Sequence, residues 1–388
     1  MRLFPISDYQ LMSSPNTPTT RLATRLGFLV AGFGIACWAP MVPFIKSNLG
    51  ISEAILGVLL LCIGFGSLVA MVLTGIIAAR IGSRPVILIS GFALAFILPL
   101  LPYANSIEVL GVFLFAFGAA MGSLDVAINL HAIEVEQSSD TPLMSGFHAM
   151  FRLGAFLGAG FITLLLSLQM RLLTACVAGT LIMIGALAFS APKLLRDRPP
   201  AGDTTLAMPR GKIWLIAGLT AIAFLAEGGI LDWSALLIVA TEKVKASHGG
   251  LGYMLFAIAM VAGRLNGDRL ATRFGDYRLL ISSGLLSVAG FVVLLAIDQT
   301  TMSLAGFTLI GLGLANIVPV LFRRAGQQKD MPPALAIAAV TTAGYAGILI
   351  GPAMIGFVAE WIGLTASFWC LAGLIVFVVI FSRKSCQK

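Results

Sequence analysis

The sequence predicts an all-α integral membrane protein, with twelve transmembrane helices in two pseudo-symmetric six-helix bundles. Three observations carry this. The first is composition: of 388 residues, 59% are hydrophobic and 11% charged, with a mean hydropathy of +0.99. A soluble domain has roughly 45–50% apolar and about 25% charged residues, and no fold of this size has interior enough to hide the difference. Disorder, nucleic-acid binding and a secreted disulfide scaffold are excluded with the soluble classes. The second observation is a series of twelve long apolar runs. The third is an internal offset of about half the chain.

A membrane-spanning helix needs roughly 20 predominantly apolar residues. The first such run, 22–45, follows a polar stretch bearing Ser, Thr and Pro and carries Pro40 and Pro43, which bend it. No short apolar core with a small-residue cleavage site precedes it, so this run is expected to be retained. The next, 54–79, ends at Arg80, and 85–104 begins after the turn Ser83-Arg84-Pro85. Runs at 107–133, 144–168 and 172–191 complete the first six. The polar stretch 192–212, rich in Pro, Arg, Lys and Asp, is the longest connection. Beyond it lie 213–239, 250–274 and 278–297; then, after Gln299-Thr300-Thr301, come 302–323 (bent at Pro319), 333–358 and 363–382. The organisation predicted is a tail at 1–21, a bundle at 22–191, a linker at 192–212, a second bundle at 213–382 and a tail at 383–388.

Orientation follows from Lys and Arg, which collect on the cytoplasmic side. With the N-terminus inside, nineteen of the 25 basic residues fall in cytoplasmic segments and only Lys46, Arg171, Lys243 and Lys245 fall outside. The expected location is therefore a bacterial inner (plasma) membrane, multi-pass, with both termini cytoplasmic. The net charge of +8 then reports topology and not an anionic partner. The five cysteines have no paired spacing and read as small hydrophobes.

A shift of 193 residues places Arg80-Ile81-Gly82 on Arg273-Phe274-Gly275, Gly118 on Gly311, and Gly154 and Gly158 on Gly347 and Gly351. A shift of 195 places Gly34, Trp38 and Gly57 on Gly229, Trp233 and Gly252. Together these argue for two homologous halves, with a solute path between them near the midplane.

Twelve spans, a six-plus-six repeat, a long central connection and basic turns after helices 2 and 8 resemble the major facilitator superfamily across essentially the whole chain. The family's turn motif after helix 2 is matched by Gly75-Ile76-Ile77-Ala78-Ala79-Arg80-Ile81-Gly82-Ser83-Arg84, with Ala79 where the family has an acid. Its counterpart, Gly263-Arg264-Leu265-Asn266-Gly267-Asp268-Arg269 followed by Arg273, is also atypical. The resemblance makes Arg80, Arg84, Asp268, Arg269 and Arg273 candidates for a cytoplasmic gate; the other reading is ordinary positive-inside charge. The family's helix 4 arginine has no counterpart near Gly118–Gly122. The strings Glu227-Gly228-Gly229-Ile230-Leu231-Asp232-Trp233-Ser234, Asp125-Val126-Ala127-Ile128-Asn129 and Gly146-Phe147-His148 are similar to the MosC-like branch, a neighbour of the fucose permeases. That resemblance implies sugar-like or small-metabolite transport. Asp125 matches the proton-titrating acid of fucose permease-like symporters in helix 4, while their acid in helix 1 is missing here.

An ionisable residue at membrane depth is costly unless it meets a partner or water, so its default reading is functional. Asp125 and Asn129 share a helix face, and Arg152 lies at similar depth in the neighbouring helix with His148 one turn away. Asp125 and Arg152 are expected to pair, either as coupling groups or as a fixed brace. Glu227 lies near mid-membrane, Asp232 nearer the outside, and the long side chain of Arg264 can reach toward Glu227. Asp125, Glu227 and Asp232 are the candidate proton-coupling groups.

Trp38 and Trp233 occupy matching repeat positions and read as stacking faces for a solute or as an interfacial belt. His148 and Arg152 align with Thr341 and Tyr345, and Ser123 with Asn316. The candidate solute ligands are thus Trp38, Asn129, His148, Arg152, Trp233, Arg264, Asn316 and Tyr345. No nucleotide-binding loop, HExxH pattern or GxSxG elbow is present, so neither an enzyme nor a primary pump is expected, and no cofactor or metal. The expected protein is a monomeric secondary transporter that moves a small polar, sugar-like solute by alternating access, coupled to protons. Its rivals are a drug or metabolite exporter and a non-transporting receptor or scaffold.

Overall fold

The computed structural model describes residues 17–139, 143–195, 211–241, 243–328 and 331–386. Much of the expected N-terminal tail and of the 192–212 linker lies outside them. Among the described residues there is no strand, and twelve helices are long and apolar enough to cross a membrane. They are α1 Pro18–Leu49, α2 Glu53–Ile81, α3 Ser83–Tyr103, α4 Ile107–Gln137, α5 Gly146–Ser167, α6 Leu172–Lys193, α7 Ile213–Ala240, α8 Ala246–Leu265, α9 Asp276–Ala296, α10 Thr300–Gln327, α11 Leu335–Ile362 and α12 Leu364–Cys386. An even number of crossings brings both ends of the chain to one side, here termed the terminal face; the other is the distal face.

Local chemistry sets the helix ends. Ser52 and Ser106 accept hydrogen bonds from the backbone N–H groups of Ile55 (3.4 Å) and Val109 (3.3 Å), capping α2 and α4. The Glu136 carboxylate accepts from the N–H of Met144 (2.6 Å) and so ties the end of α4 to the helix that becomes α5. At the distal face the Lys243 ammonium donates to the carbonyls of Leu294 (3.1 Å) and Ile297 (3.2 Å) and to Ser303 Oγ (2.8 Å). One lysine thus satisfies the frayed end of α9 and fixes the α7–α8 connection to it.

The sequence predicts one span over 250–274, but the helix stops at Leu265 and a separate short helix, Gly267–Phe274, follows. The ladder is broken because its acceptors are taken. Asn266 Nδ2 donates to the Ala262 carbonyl (2.9 Å) and Asn316 Nδ2 to the Gly263 carbonyl (3.2 Å). Asn316 itself lies in a break of α10, between Leu314 and Ile317. Pro319 lacks an N–H, so the Ala315 carbonyl, four residues earlier, loses its helical donor.

The pseudo-symmetry is written in backbone contacts at glycine. Gly118 of α4 lies against the Ile63 carbonyl of α2, and Gly311 of α10 against the Phe256 carbonyl of α8. Gly154 and Gly158 of α5 lie against the carbonyls of Leu29 and Phe33 in α1. Gly347 and Gly351 of α11 meet Ala221 and Leu225 of α7. Glycine and partner shift together by 192 or 193 residues, so each half makes the same close helix crossings, which only a residue without Cβ permits. Between the halves, α2 packs on α11, α5 on α8, and the end of α1 on α7.

Gly154→Val and Gly347→Val should each destabilise the protein by about 1–3 kcal/mol through overpacking. Gly185→Ala, where a Cβ meets nothing within 4 Å, should not. Thermal unfolding of the purified variants in detergent measures this, and equal stability of all three would exclude the crossing argument.

Candidate functional site

At mid-depth of α7, the buried Glu227 carboxylate is held by two arginines. Its Oε1 accepts from Arg264 Nη2 of α8 at 3.2 Å, and its Oε2 accepts from Arg152 Nη2 of α5 in the other half. The Glu227 side chain is 5% exposed, against 16% for Arg152 and 27% for Arg264. The two arginines are therefore the more exposed members of the cluster and the carboxylate is the most buried. Arg264 is anchored a second time: its Nε donates to the Ala315 carbonyl (3.3 Å), the acceptor that Pro319 leaves free. Asn316, next in the chain, is buried against α8 by its bond to Gly263 and serves this scaffold. His148 packs edge-on against Phe28 (ring centroids 5.1 Å apart) and lies within electrostatic reach of both arginines.

The expected Asp125–Arg152 pair does not form. Arg152 turns across the interface to Glu227 because that carboxylate lies at the inter-half seam. Asp125 forms its own cluster instead. Asn129 Nδ2 donates to its carboxylate (3.2 Å) and to its backbone carbonyl (2.8 Å), and the Tyr345 hydroxyl of α11 donates to Oδ2 at 3.1 Å. Asp125–Tyr345 is a second hydrogen bond across the halves, joining α4 to α11.

Trp38 and Trp233 are both fully buried, so neither presents a ring face to a cavity in this structure. Trp233 Nε1 donates to the Pro352 carbonyl (3.0 Å), a bond within the second half. The Trp38 indole is directed at Asp232 of α7, but across a gap that falls short of a full hydrogen bond. Asp232 is buried beside it. Of the gate candidates, Arg84 Nε donates to the Ala191 carbonyl within its own half (2.9 Å), and Arg273 lies over the neighbouring Phe274 ring (5.4 Å). Arg80 and Arg269 are exposed, and the Asp268 side chain lies outside the described residues.

Two participants escape the sequence reading. Tyr253 of α8 is buried within electrostatic reach of Arg152, Glu227 and Asp232. The signal for it was spacing: eleven residues, three helical turns, separate it from Arg264 and put both on one face. Glu360 near the distal end of α11 accepts from the Ala54 N–H at 3.1 Å, so a carboxylate of the second half caps α2 of the first. Beside it, Lys46 pairs with Glu53 at 3.0 Å. No sequence spacing announces a cap supplied from 306 residues away.

A family model described as Major Facilitator Superfamily matches residues 25–329. An uncharacterised MFS-type transporter of Yersinia pestis is 45% identical over 364 residues, spanning 94% of this chain and 95% of that protein. The membrane protein MosC of Rhizobium meliloti is 32% identical over 362 residues, spanning 91% and 86%. Among solved structures, a point mutant of the nucleoside transporter NupG superimposes with a TM-score of 0.79 at 12% identity, covering 95% of this chain and 100% of that one. The human organic anion transporter MFSD10 gives 0.62 at 16%, covering 94% and 100%.

Glu227→Ala should cost about 3–5 kcal/mol, because it strands two desolvated arginines. Arg152→Ala should cost roughly half as much, because Arg264 still holds the carboxylate. Chemical or thermal unfolding in detergent reads the asymmetry; a larger loss for Arg152→Ala would contradict the shared-carboxylate geometry.

Proposed function

This chain belongs to the major facilitator superfamily and is a secondary transporter, not an enzyme, and from that premise we propose that it moves a small polar solute by alternating access, coupled to protons. The observation that carries the proposal is the Glu227 carboxylate at mid-depth, held by arginines of both halves. An ion pair between bodies that must separate is a seam: its desolvated charges need compensation in every state of the cycle. When Arg152 leaves with its half, or a solute takes the arginines, a proton can neutralise the exposed carboxylate. Asp125, bonded across the other seam by Tyr345, and Asp232, buried beside Trp38, are the further candidate proton carriers. Trp38, Asn129, His148, Trp233 and Tyr345 stand around these groups as candidate solute contacts or supports.

Close contacts between the halves support a state shut toward the distal face. Gly57 lies against Ala353 and Gly356, Gly250 against Pro40 and Thr163, and Glu360 caps α2. With the basic terminal face in the cytoplasm of a bacterial inner membrane, this state is closed to the outside. The substrates named for the nucleoside and organic anion transporters belong to those proteins; at 12% and 16% identity the likeness speaks for the fold. Export of apolar solutes has one observation in its favour. A largely apolar groove of about 480 Å³ runs between α5 and α8 along Phe156, Phe161, Leu251 and Met254.

In proteoliposomes, an imposed inward proton gradient should drive solute accumulation, and Asp125→Asn or Glu227→Gln should lower the gradient-driven rate by about tenfold or more, equivalent to 1.4 kcal/mol, while unlabelled solute still exchanges. Transport that ignores the gradient and is unchanged in both variants would remove proton coupling. Glu360→Ala should raise the labelling of cysteines placed at the distal seam; unchanged labelling would show that the cap is not a latch.

A further inference from the structure

The arrangement at Glu227 is already a carboxylate-binding site, with the protein's own side chain in it. Each carboxylate oxygen takes one arginine, Oε1 from Arg264 and Oε2 from Arg152. Two guanidinium groups meet one carboxylate, which leaves one positive charge over. The neighbouring acids do not take it up: Asp125 is bonded to Tyr345 and Asn129, and Asp232 faces Trp38. Among the described residues, Nη1 of Arg264 and both Nε and Nη1 of Arg152 have no protein partner. These donors belong to the more exposed members of the cluster, while Glu227 is the most buried.

We propose that the transported solute is an organic acid whose carboxylate binds between Arg152 and Arg264, in the place that Glu227 occupies. This rests on the transporter reading above and narrows its substrate class. A cation approaching the cluster meets its more exposed members, the two arginines. An uncharged polyol leaves the surplus charge uncompensated in a desolvated site. A monoanion balances it, and a planar carboxylate matches the geometry in which both arginines already hold one. Arg264 is pre-set for this, because the Ala315 carbonyl freed by Pro319 holds its Nε whether or not Glu227 stays. Tyr253 and His148, within electrostatic reach of the pair, offer hydrogen-bonding groups for the remainder of the solute. Glu227 is then a resident competitor: the solute displaces it from the arginines, and its release links solute binding to the movement of the halves.

The test uses the full-length protein in detergent and ligand-induced thermal stabilisation. The probes are monocarboxylates including lactate, gluconate and glucuronate, each paired with its uncharged amide. At least one acid should bind about tenfold or more tightly than its amide. Arg264→Lys should weaken that acid by about tenfold, since a point charge replaces a fork of donors. Glu227→Gln should be less stable alone yet show a larger acid-induced shift than the parent protein, because the internal competitor is gone. That gain separates displacement from a merely structural role. Equal binding of acid and amide, unchanged affinity in Arg264→Lys, or no larger shift in Glu227→Gln would overturn the proposal. If no acid binds while uncharged solutes exchange in proteoliposomes, this inference falls and the transporter reading stands. If nothing binds or exchanges, both fall.

Discussion

One carboxylate shared by two arginines from opposite halves is the constraint around which the molecule is organised. Burying ionised groups at the centre of a membrane protein is tolerated only when they meet opposite charges at hydrogen-bonding distance. The chain meets this demand with unusual local structure. Pro319 opens α10, the freed Ala315 carbonyl receives Arg264, and Asn316 fills the gap by bonding to Gly263 in α8. The helix break after Leu265 and the break in α10 are two sides of one junction. What looks like irregularity in two separate spans is a single device for fixing the direction of one guanidinium.

Around that centre, rigidity and freedom are divided between kinds of contact. Within each half, helices cross backbone to backbone at glycine, as Gly154 does on Leu29 and Gly347 on Ala221. Such crossings have no side chains that could rearrange, so a half moves as a body. Between the halves, glycine contacts such as Gly57 on Gly356 are joined by side-chain hydrogen bonds, Arg152 to Glu227, Tyr345 to Asp125 and Glu360 to the start of α2. These can break without unfolding either bundle. This division of labour is what rocking of two halves requires.

Much of the fold could be read from the sequence, because its determinants are local. A run of about 20 apolar residues commits a segment to a helix wherever it lies, and the glycine repeat at 193 residues marks crossings that the structure places at equivalent points. The site was less legible. The spacing found Glu227, Arg152, Arg264, Asp125 and Tyr345 and put Arg264 on Glu227, but it joined Arg152 to Asp125, its neighbour in an adjoining helix. Hydropathy reports depth and face; it does not report how two bundles meet, and that meeting decides which acid Arg152 finds. Tyr253 had only its spacing to Arg264 on one helix face to mark it. The matched tryptophans Trp38 and Trp233 are both buried in this structure, one bonded to Pro352 and one directed at Asp232, which their repeat symmetry alone did not foretell.

The cap that Glu360 provides to α2 has a kinetic meaning. A helix cap stabilises by about 0.5–2 kcal/mol, so this bond on its own weights the closed seam by a factor of only about 2 to 30. Thermal motion alone can break such a bond, but the backbone contacts beside it, Gly57 on Ala353 and Gly356, must part with it. The carboxylate at mid-depth differs in kind: it can change partners only when another charge compensates it.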